Sequence, residues 1–156
     1  MSEEVTHGNK LLAETQEGQR HLEELKADIM KFKPLNILIV DDEPSIRDSF
    51  KMILAMVNQN LETAPDAETG LKLLEKKTFD LVFHDLRPPG MDGIEALKII
   101  KQKYPKVEVV IHAVFASEKA HNQAIELGAM DYIRCPFTME QIYELVLRVI
   151  KTKVKL

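Results

Sequence analysis

Residues 36–50 have the sequence NILIVDDEPSIRDSF, in which a short apolar run leads through two aspartates into a segment that a proline opens. The run ILIV shows no alternation with polar residues, which is typical of a central parallel strand covered on both faces. Pro44 fits the first turn of a helix, where a backbone N–H has no partner in any case. The stretch therefore predicts a β-strand followed, after an acidic turn, by a helix.

The rest of the chain repeats this alternation of apolar runs and helical segments, which indicates successive βα units. Asp66 and Thr138 stand where helices should begin, and Gln141 completes a capping box with Thr138. Five parallel strands joined by right-handed crossovers give an α/β fold, a three-layer α/β/α sandwich. The predicted strands span 36–40, 61–64, 81–84, 108–112 and 132–134, and the predicted helices span 44–57, 67–76, 92–103, 118–127 and 139–152.

The first part of the chain, residues 5–32, contains no proline and carries a stripe of apolar or small residues at four-three spacing. This spacing predicts a helix that ends near Pro34, because the residue before a proline is forced out of the helical region. We predict a helical extension over 1–33 and a globular domain over 34–156. Packing on its own domain and a two-stranded coiled coil both explain the stripe, and we take the coiled coil, hence a homodimer, as the working hypothesis. The stripe consists of Leu11, Thr15, Gly18, Leu22, Leu25, Ile29 and Phe32.

The composition excludes several classes of protein. The 156 residues carry a net charge of −4 and no long basic run, which argues against a nucleic-acid partner. The single cysteine, Cys135, excludes an internal disulfide and fits a reducing compartment. No apolar run is long enough to cross a bilayer, and the start MSEEVTHGNK lacks the apolar core of a signal peptide. We therefore predict a cytoplasmic protein without a membrane partner.

Three aspartates stand directly after predicted strands: Asp41 and Asp42 after ILIV, and Asp85 after LVFH. In an open parallel sheet, sites form at the carboxyl ends of the strands, so we expect these carboxylates to lie close together. Such a cluster is unfavourable unless a cation neutralises it or one acid is protonated. The hard ion Mg²⁺ is the natural partner of oxygen ligands, and we predict it as a cofactor.

Three segments then resemble the response-regulator receiver family in order and spacing: VDDEPSIRDSF at 40–50, FDLVFHDLRPPGMDG at 79–93 and GAMDYIRCPF at 128–137. The resemblance covers residues 35 to about 152. It implies a flavodoxin-like sheet with strand order 2-1-3-4-5. It also implies a cis bond before Pro136.

The resemblance further implies roles for individual residues. Asp41 and Asp42 would help to hold Mg²⁺, together with Asp85 and the backbone carbonyl of Arg87. Asp85 would also accept a phosphoryl group from a partner histidine kinase, forming a labile acyl phosphate. Tyr132 would occupy the position of the switch aromatic. The switch acts on the face formed by the helix at 118–127, the last strand and the last helix, which offers a second surface for a homodimer.

Two positions depart from the family pattern. Cys135 stands where the family has a lysine, and counting back the usual 22 residues places Ala113 at the Ser or Thr position. A one-residue slip would offer His112 there instead, but Tyr132 would then leave its register, so we prefer Ala113. Val114, which follows, is usually a very small residue, and we expect it to narrow access to the acceptor aspartate. The residues at 113 and 135 lack the groups that contact the phosphoryl oxygens in the family.

Several residues near the site have a simpler interpretation. Cys135 is expected to be structural, because neighbouring carboxylates raise the pKa of a thiol and make it a poor nucleophile. His84 and His112 are expected to be buried or rim histidines, since no further ligand at a recognised spacing accompanies them. We assign Asp92 and Gly93 a structural role in the turn before a helix.

The sequence as a whole predicts an atypical receiver without an output domain, which acts through protein contacts in a two-component or phosphorelay pathway. The alternative is a conventional receiver switched by phosphorylation of Asp85. A small Mg²⁺-dependent phosphatase is a more distant alternative, because Arg87 stands where its acid-base residue would be and no cap encloses a substrate. We therefore do not expect an enzyme.

Overall fold

The fold was analysed on a computed structural model of the chain, which describes residues 2–87, 90–115 and 117–154, with side chains from residue 16 onward. Within these residues helices and strands alternate from β1 to α6. The elements are α1 (Ser2–Met30), β1 (Asn36–Val40), α2 (Pro44–Ala55), β2 (Asn60–Ala64), α3 (Ala67–Lys76), β3 (Leu81–Asp85), α4 (Gly93–Lys103), β4 (Glu108–Ala113), α5 (Glu118–Glu126), β5 (Asp131–Arg134) and α6 (Met139–Val154).

The five strands form one parallel sheet in the order β2-β1-β3-β4-β5, so the predicted fold is confirmed. The predicted elements agree with the observed ones to within one or two residues at most ends. The largest differences in the globular part are two residues each: α2 stops at Ala55 rather than at residue 57, and α6 continues to Val154 rather than to residue 152. Asn58 follows α2 with a φ of 57°, a left-handed conformation that asparagine tolerates and that cannot continue a helix.

Each face of the sheet is covered by its own apolar layer. Phe50 of α2 and Tyr143 of α6 lie on one face, where they pack with Phe83 of β3. Leu97 of α4 lies on the other face and belongs to a second cluster with Val82. Since successive residues of a strand point to opposite faces, both sides of the central strands must be apolar, which explains the runs without alternation.

The predicted helix caps are present. The side chain of Asp66 accepts a hydrogen bond of 2.7 Å from the backbone N–H of Thr69. At the start of α6 the backbone N–H of Thr138 donates to Oε1 of Gln141 at 2.8 Å, and the N–H of Gln141 donates to Oγ1 of Thr138 at 3.1 Å. This reciprocal pair is a capping box and fixes the first residue of α6.

The second half of α1 packs against α6 of the same chain. Leu25 and Ile29 are buried in the cluster that α2 and α6 also form, and Leu22 packs on its edge. Nε2 of His21 lies 3.2 Å from Oε1 of Glu140, which adds a polar contact between the two helices. The own-domain alternative therefore accounts for the second half of the stripe.

Two other residues of the stripe are not buried against α6. Gly18 is exposed, and Phe32 lies beyond the end of the helix and is partly exposed. The side chains of Leu11 and Thr15 lie outside the described residues. Self-association through α1 stays a prediction. None of the described helices combines the length and the apolar character needed to cross a membrane.

Candidate acidic site at the carboxyl edge of the sheet

The carboxyl ends of β1, β3 and β4 bring two aspartates and a histidine together. Asp41 follows β1, Asp85 ends β3, and His112 pairs with Asp85 across the β3–β4 ladder. One ligand atom from each of these three side chains lies within 4.8 Å of the others. All three point to the face covered by α2 and α6, because each stands two residues after a residue buried on that face.

The carboxylate of Asp41 is buried and held on both oxygens. Oδ1 accepts a hydrogen bond of 2.9 Å from the backbone N–H of Glu43, and Oδ2 lies 2.8 Å from Nε2 of His112. The guanidinium of Arg47 does not reach this carboxylate but donates to the backbone carbonyl of Asp41 at 2.8 Å. The orientation of Asp41 is therefore fixed by one backbone group and one buried side chain.

His112 is a residue of the site whose contact the sequence did not predict. It is buried, as expected, with an exposed fraction of 1%. Its ring lies 5.4 Å from that of Phe50, and among the described residues Nδ1 has no hydrogen-bond partner. The sequence places His112 two residues after Val110, which gives its face of the sheet but not the atom that it contacts.

Asp85 lies at the mouth of the site and is only partly buried. Burial is the main cause that raises its pKa, and the charge of Asp41 raises it further. The backbone N–H of Arg87 lies 3.4 Å from Oδ1 of Asp85, too far to relieve much of this repulsion. The ionised form of Asp85 is thus destabilised until a cation or a proton arrives.

A cleft of about 270 Å³ opens beside Asp85. Among the described residues that line it, Arg87 carries the positive charge, and Asp42 and Glu43 carry negative charges. Val114 and Phe115 form an apolar rim, with exposed fractions of 61% and 87%. The lining residues are Asp42, Glu43, Asp85, Leu86, Arg87, Ala113, Val114 and Phe115.

The two positions at which we predict departures from the family pattern lie at this site. Ala113 is buried, lines the cleft with a methyl group, and accepts a hydrogen bond of 2.8 Å on its carbonyl from the backbone N–H of Cys135. Burial, followed by the charges of Asp41 and Asp85, raises the pKa of the Cys135 thiol to about 11. The thiol is therefore neutral at physiological pH, and the two side chains carry neither a hydroxyl nor an ammonium group.

Three neighbouring residues complete the surroundings. His84 is buried on the opposite face of β3, where Nδ1 lies 2.7 Å from the carbonyl of Asp85, and burial lowers its pKa to about 4. Tyr132 is buried beside His121, with its hydroxyl 3.5 Å from the carbonyl of Phe115. The bond before Pro136 is cis, as the resemblance implied.

Gly93, which we assigned only to a turn, is also part of the support of Asp85. A Cβ atom at this position would lie 2.5 Å from the carbonyl oxygen of Asp85 and 2.9 Å from Cα of Leu86. The backbone N–H of Gly93 donates to the carbonyl of Leu86 at 2.8 Å. Any larger residue would therefore displace the strand end that carries Asp85.

The donor set fits a hard divalent cation. Asp41, Asp42 and Asp85 offer carboxylate oxygens at one edge of the sheet, and oxygen ligands are those that Mg²⁺ prefers. A cation there would offset the repulsion that raises the pKa of Asp85. Bound at this site, Mg²⁺ supplies positive charge to the oxygens of a phosphoryl group.

A five-stranded parallel sheet in this order, with clustered aspartates at its carboxyl edge, defines a receiver domain of two-component signalling. The chain belongs to the response regulator receiver domain family, whose model matches residues 37–147.

Named relatives agree with this assignment. The chain is 36% identical over 114 residues to the DNA-binding transcriptional regulator NtrC of Escherichia coli strain K12, a match that covers 73% of this chain and 24% of that protein. The chain thus spans about a quarter of the length of the curated relatives it matches. It superimposes with a TM-score of 0.71 and 31% identity on a CheY-like receiver domain protein from Methanospirillum hungatei, covering 77% of this chain and 99% of that one. The beryllofluoride-activated NtrC4 receiver domain dimer gives a TM-score of 0.72 at 26% identity, with 75% and 97% covered.

Proposed function

We propose that this chain is an atypical receiver that signals mainly through protein contacts, with a working cation site and a slow phosphoryl transfer to Asp85. The observation that carries the proposal is the contrast within one site. Asp41, Asp42 and Asp85 are all present, whereas Ala113 and Cys135 present a methyl group and a neutral thiol. Such a site retains the carboxylates that bind a cation and lacks the hydroxyl and the ammonium that would stabilise a transferring phosphoryl group.

The cation site would consist of the three aspartates and the backbone carbonyl of Arg87. Removing the cation leaves a half-buried acid beside a buried one, which is unfavourable because like charges and burial both oppose ionisation. The acids are therefore better explained by a bound cation than by a purely structural role. We expect Mg²⁺ because the side-chain ligands are oxygens and the cleft is open to water.

Phosphoryl transfer would be slow because few hydrogen-bond donors are available to stabilise the charge that develops on the phosphoryl oxygens. Loss of one preorganised donor typically costs about 2.7–4 kcal/mol, or roughly 10²–10³ in rate. Arg87 lines the cleft and offers one cation, but its side chain is exposed to solvent and screened. The exposed Val114 side chain adds bulk at the entrance.

The partner would be a histidine kinase or another signalling protein. Two surfaces are candidates for self-association: α1, and the face formed by α5, β5 and α6. The NtrC4 receiver domain was solved as a dimer, which supports self-association of a receiver without favouring either surface. On this chain the face formed by α5, β5 and α6 carries the ion pair between Arg148 and Asp131, 3.2 Å apart, and part of it borders α1 through Glu144.

The test is intact-mass spectrometry after incubation with Mg²⁺ and acetyl phosphate, with Asp85→Asn as the control. We expect the wild-type chain to gain a phosphoryl group slowly and incompletely. Rapid and complete gain, absent in the control, would establish instead a conventional receiver switched at Asp85. Asp85 is accessible from the cleft, and this accessibility favours the conventional receiver.

A further inference from the structure

We infer that His112 is a positioning residue of the site, which fixes the orientation of Asp41 through a hydrogen bond at the carboxyl edge of the sheet. The inference rests on the proposed function in one respect, that the aspartates bind a divalent cation. It adds a residue that would act on the cation only through Asp41.

The geometry shows a carboxylate clamped from two sides. Glu43 donates its backbone N–H to Oδ1 of Asp41 at 2.9 Å, and Nε2 of His112 lies 2.8 Å from Oδ2. With both oxygens bonded, rotation of the carboxylate breaks at least one hydrogen bond. The remaining lone pairs are then fixed relative to Asp85, whose oxygen lies within 4.8 Å.

Packing alone does not explain a histidine at this position. The imidazole lies among rings, 5.4 Å from Phe50, which itself lies 4.6 Å from Phe137. A leucine or phenylalanine would fill such surroundings without leaving a polar atom unpaired. The imidazole keeps Nδ1 without a partner among the described residues, so the contact of Nε2 with Asp41 must offset that loss.

The unpaired nitrogen also determines the tautomer. If Nε2 carries the proton, it donates to Asp41 and leaves Nδ1 as an unpaired acceptor. The opposite tautomer would turn a lone pair toward the carboxylate and bury an unpaired donor, which is worse on both counts. His112 is thus a donor to Asp41.

Cys135 and His112 approach Asp41 from neighbouring strands. Ile133 and Val110 are buried on the same face of the sheet. Cys135 stands two residues after Ile133, and His112 stands two residues after Val110, so both side chains lie on that face. The Cys135 thiol is near enough to Asp41 for that carboxylate to raise its pKa. A lysine at 135 would therefore bring its ammonium toward the carboxylate that His112 now holds.

The chain offers a matched control in His84. It is as deeply buried as His112, lies one residue before the end of the neighbouring strand, and also has one ring nitrogen without a partner among the described residues. It points to the opposite face and contacts the backbone carbonyl of Asp85 rather than any carboxylate. A phenylalanine at 84 reproduces the loss of a buried imidazole without touching Asp41.

The experiment measures binding of Mn²⁺, a spectroscopic substitute for Mg²⁺, by the electron paramagnetic resonance signal of the free ion. We expect His112→Phe to weaken binding about 10- to 100-fold, the range seen when residues that orient metal ligands are removed. His84→Phe should leave binding within about threefold of wild type, a change small against that range. His112→Gln, which keeps a donor, should restore most of the affinity.

A second measurement needs no metal and is made on the wild-type chain. Nitrogen-15 NMR of the imidazoles should show His112 protonated on Nε2, with a slowly exchanging proton whose resonance shifts in Asp41→Asn. Equal Mn²⁺ affinity in His112→Phe and His84→Phe, failure of His112→Gln to restore binding, or protonation on Nδ1 alone would each overturn the inference. Complete phosphorylation of the wild type would overturn the proposed function and leave these results intact.

Discussion

Restoring both missing groups should restore phosphoryl transfer to Asp85. The perturbation is the double substitution Ala113→Thr and Cys135→Lys. Ala113 lines the cleft beside Asp85, and the Cys135 side chain is near enough to Asp41 and Asp85 for both to raise its pKa. A hydroxyl and an ammonium at these positions would therefore face the oxygens of a phosphoryl group on Asp85.

The magnitude follows from the number of donors and their burial. One preorganised donor contributes about 10²–10³ in rate, so two independent donors would give at most roughly 10⁴–10⁶. The two act on the same group, which makes their effects less than additive in free energy. The lysine also loses hydration at a position that is only 9% exposed. We expect about 10²–10⁴ for the double variant and at least about 10 for each single variant.

The assay is a time course of phosphoryl incorporation from acetyl phosphate, followed by intact mass at constant Mg²⁺. Adding Asp85→Asn to the double variant must abolish incorporation, and circular dichroism must show that each variant is folded. A folded double variant that is no faster than wild type would refute the reasoning, because the slow step would then lie elsewhere, for example at the Val114 entrance.

Three further outcomes follow from contacts in the core and at the site. Burial raises the pKa of Asp85 above 3.8, so the folded chain binds a proton more tightly than the unfolded one and loses stability as pH rises through that raised pKa. Asp85→Asn should therefore raise the thermal midpoint at pH 7 without Mg²⁺, and calorimetry showing an unchanged or lower midpoint would count against a strained acid. Tyr143→Phe removes the 2.6 Å hydrogen bond from the buried hydroxyl to the carbonyl of Ile53. It should lower the free energy of unfolding in urea by about 1–3 kcal/mol, whereas a loss near zero would mean that water replaces the hydroxyl. Ile29→Ala should cost about 2–5 kcal/mol if α1 is docked as described, and the exposed neighbour Met30→Ala should cost little; equal effects would contradict the docking.

Much of the fold was predictable because the central strands are apolar on both faces. ILIV, LVF and VVI have no alternation to confuse their assignment, and the turns after the first two are marked by aspartate and proline. The aspartate cluster followed from the positions of the three acids at the carboxyl ends of strands, and the strand order followed from the resemblance to a known family. The ends of β3 and β4 each extend one residue beyond the prediction, because Asp85 and Ala113 complete the ladder before the chain turns.

The contact between His112 and Asp41 could not be predicted in the same way. The two residues are 71 positions apart, and their distance depends on how strand ends are staggered across β1, β3 and β4. The sequence predicts that a histidine is buried more readily than it predicts the atom that the imidazole meets. The place of α1 was undetermined for a related reason: one apolar stripe serves equally for α6 and for a second copy of the chain.

The one cysteine of the chain has a practical consequence. With a pKa of about 11, Cys135 carries a thiolate in only about one molecule in 10⁴ at pH 7, since each pH unit below the pKa reduces the ionised fraction tenfold. The thiolate is the form that reacts with maleimide reagents, so the native chain reacts with them very slowly. A single cysteine introduced at an exposed position such as Gly18 would therefore take up a fluorophore or spin label selectively, and the native thiol would not have to be removed first. Two such labels, one on α1 and one on α6, would report the distance between the helices in solution.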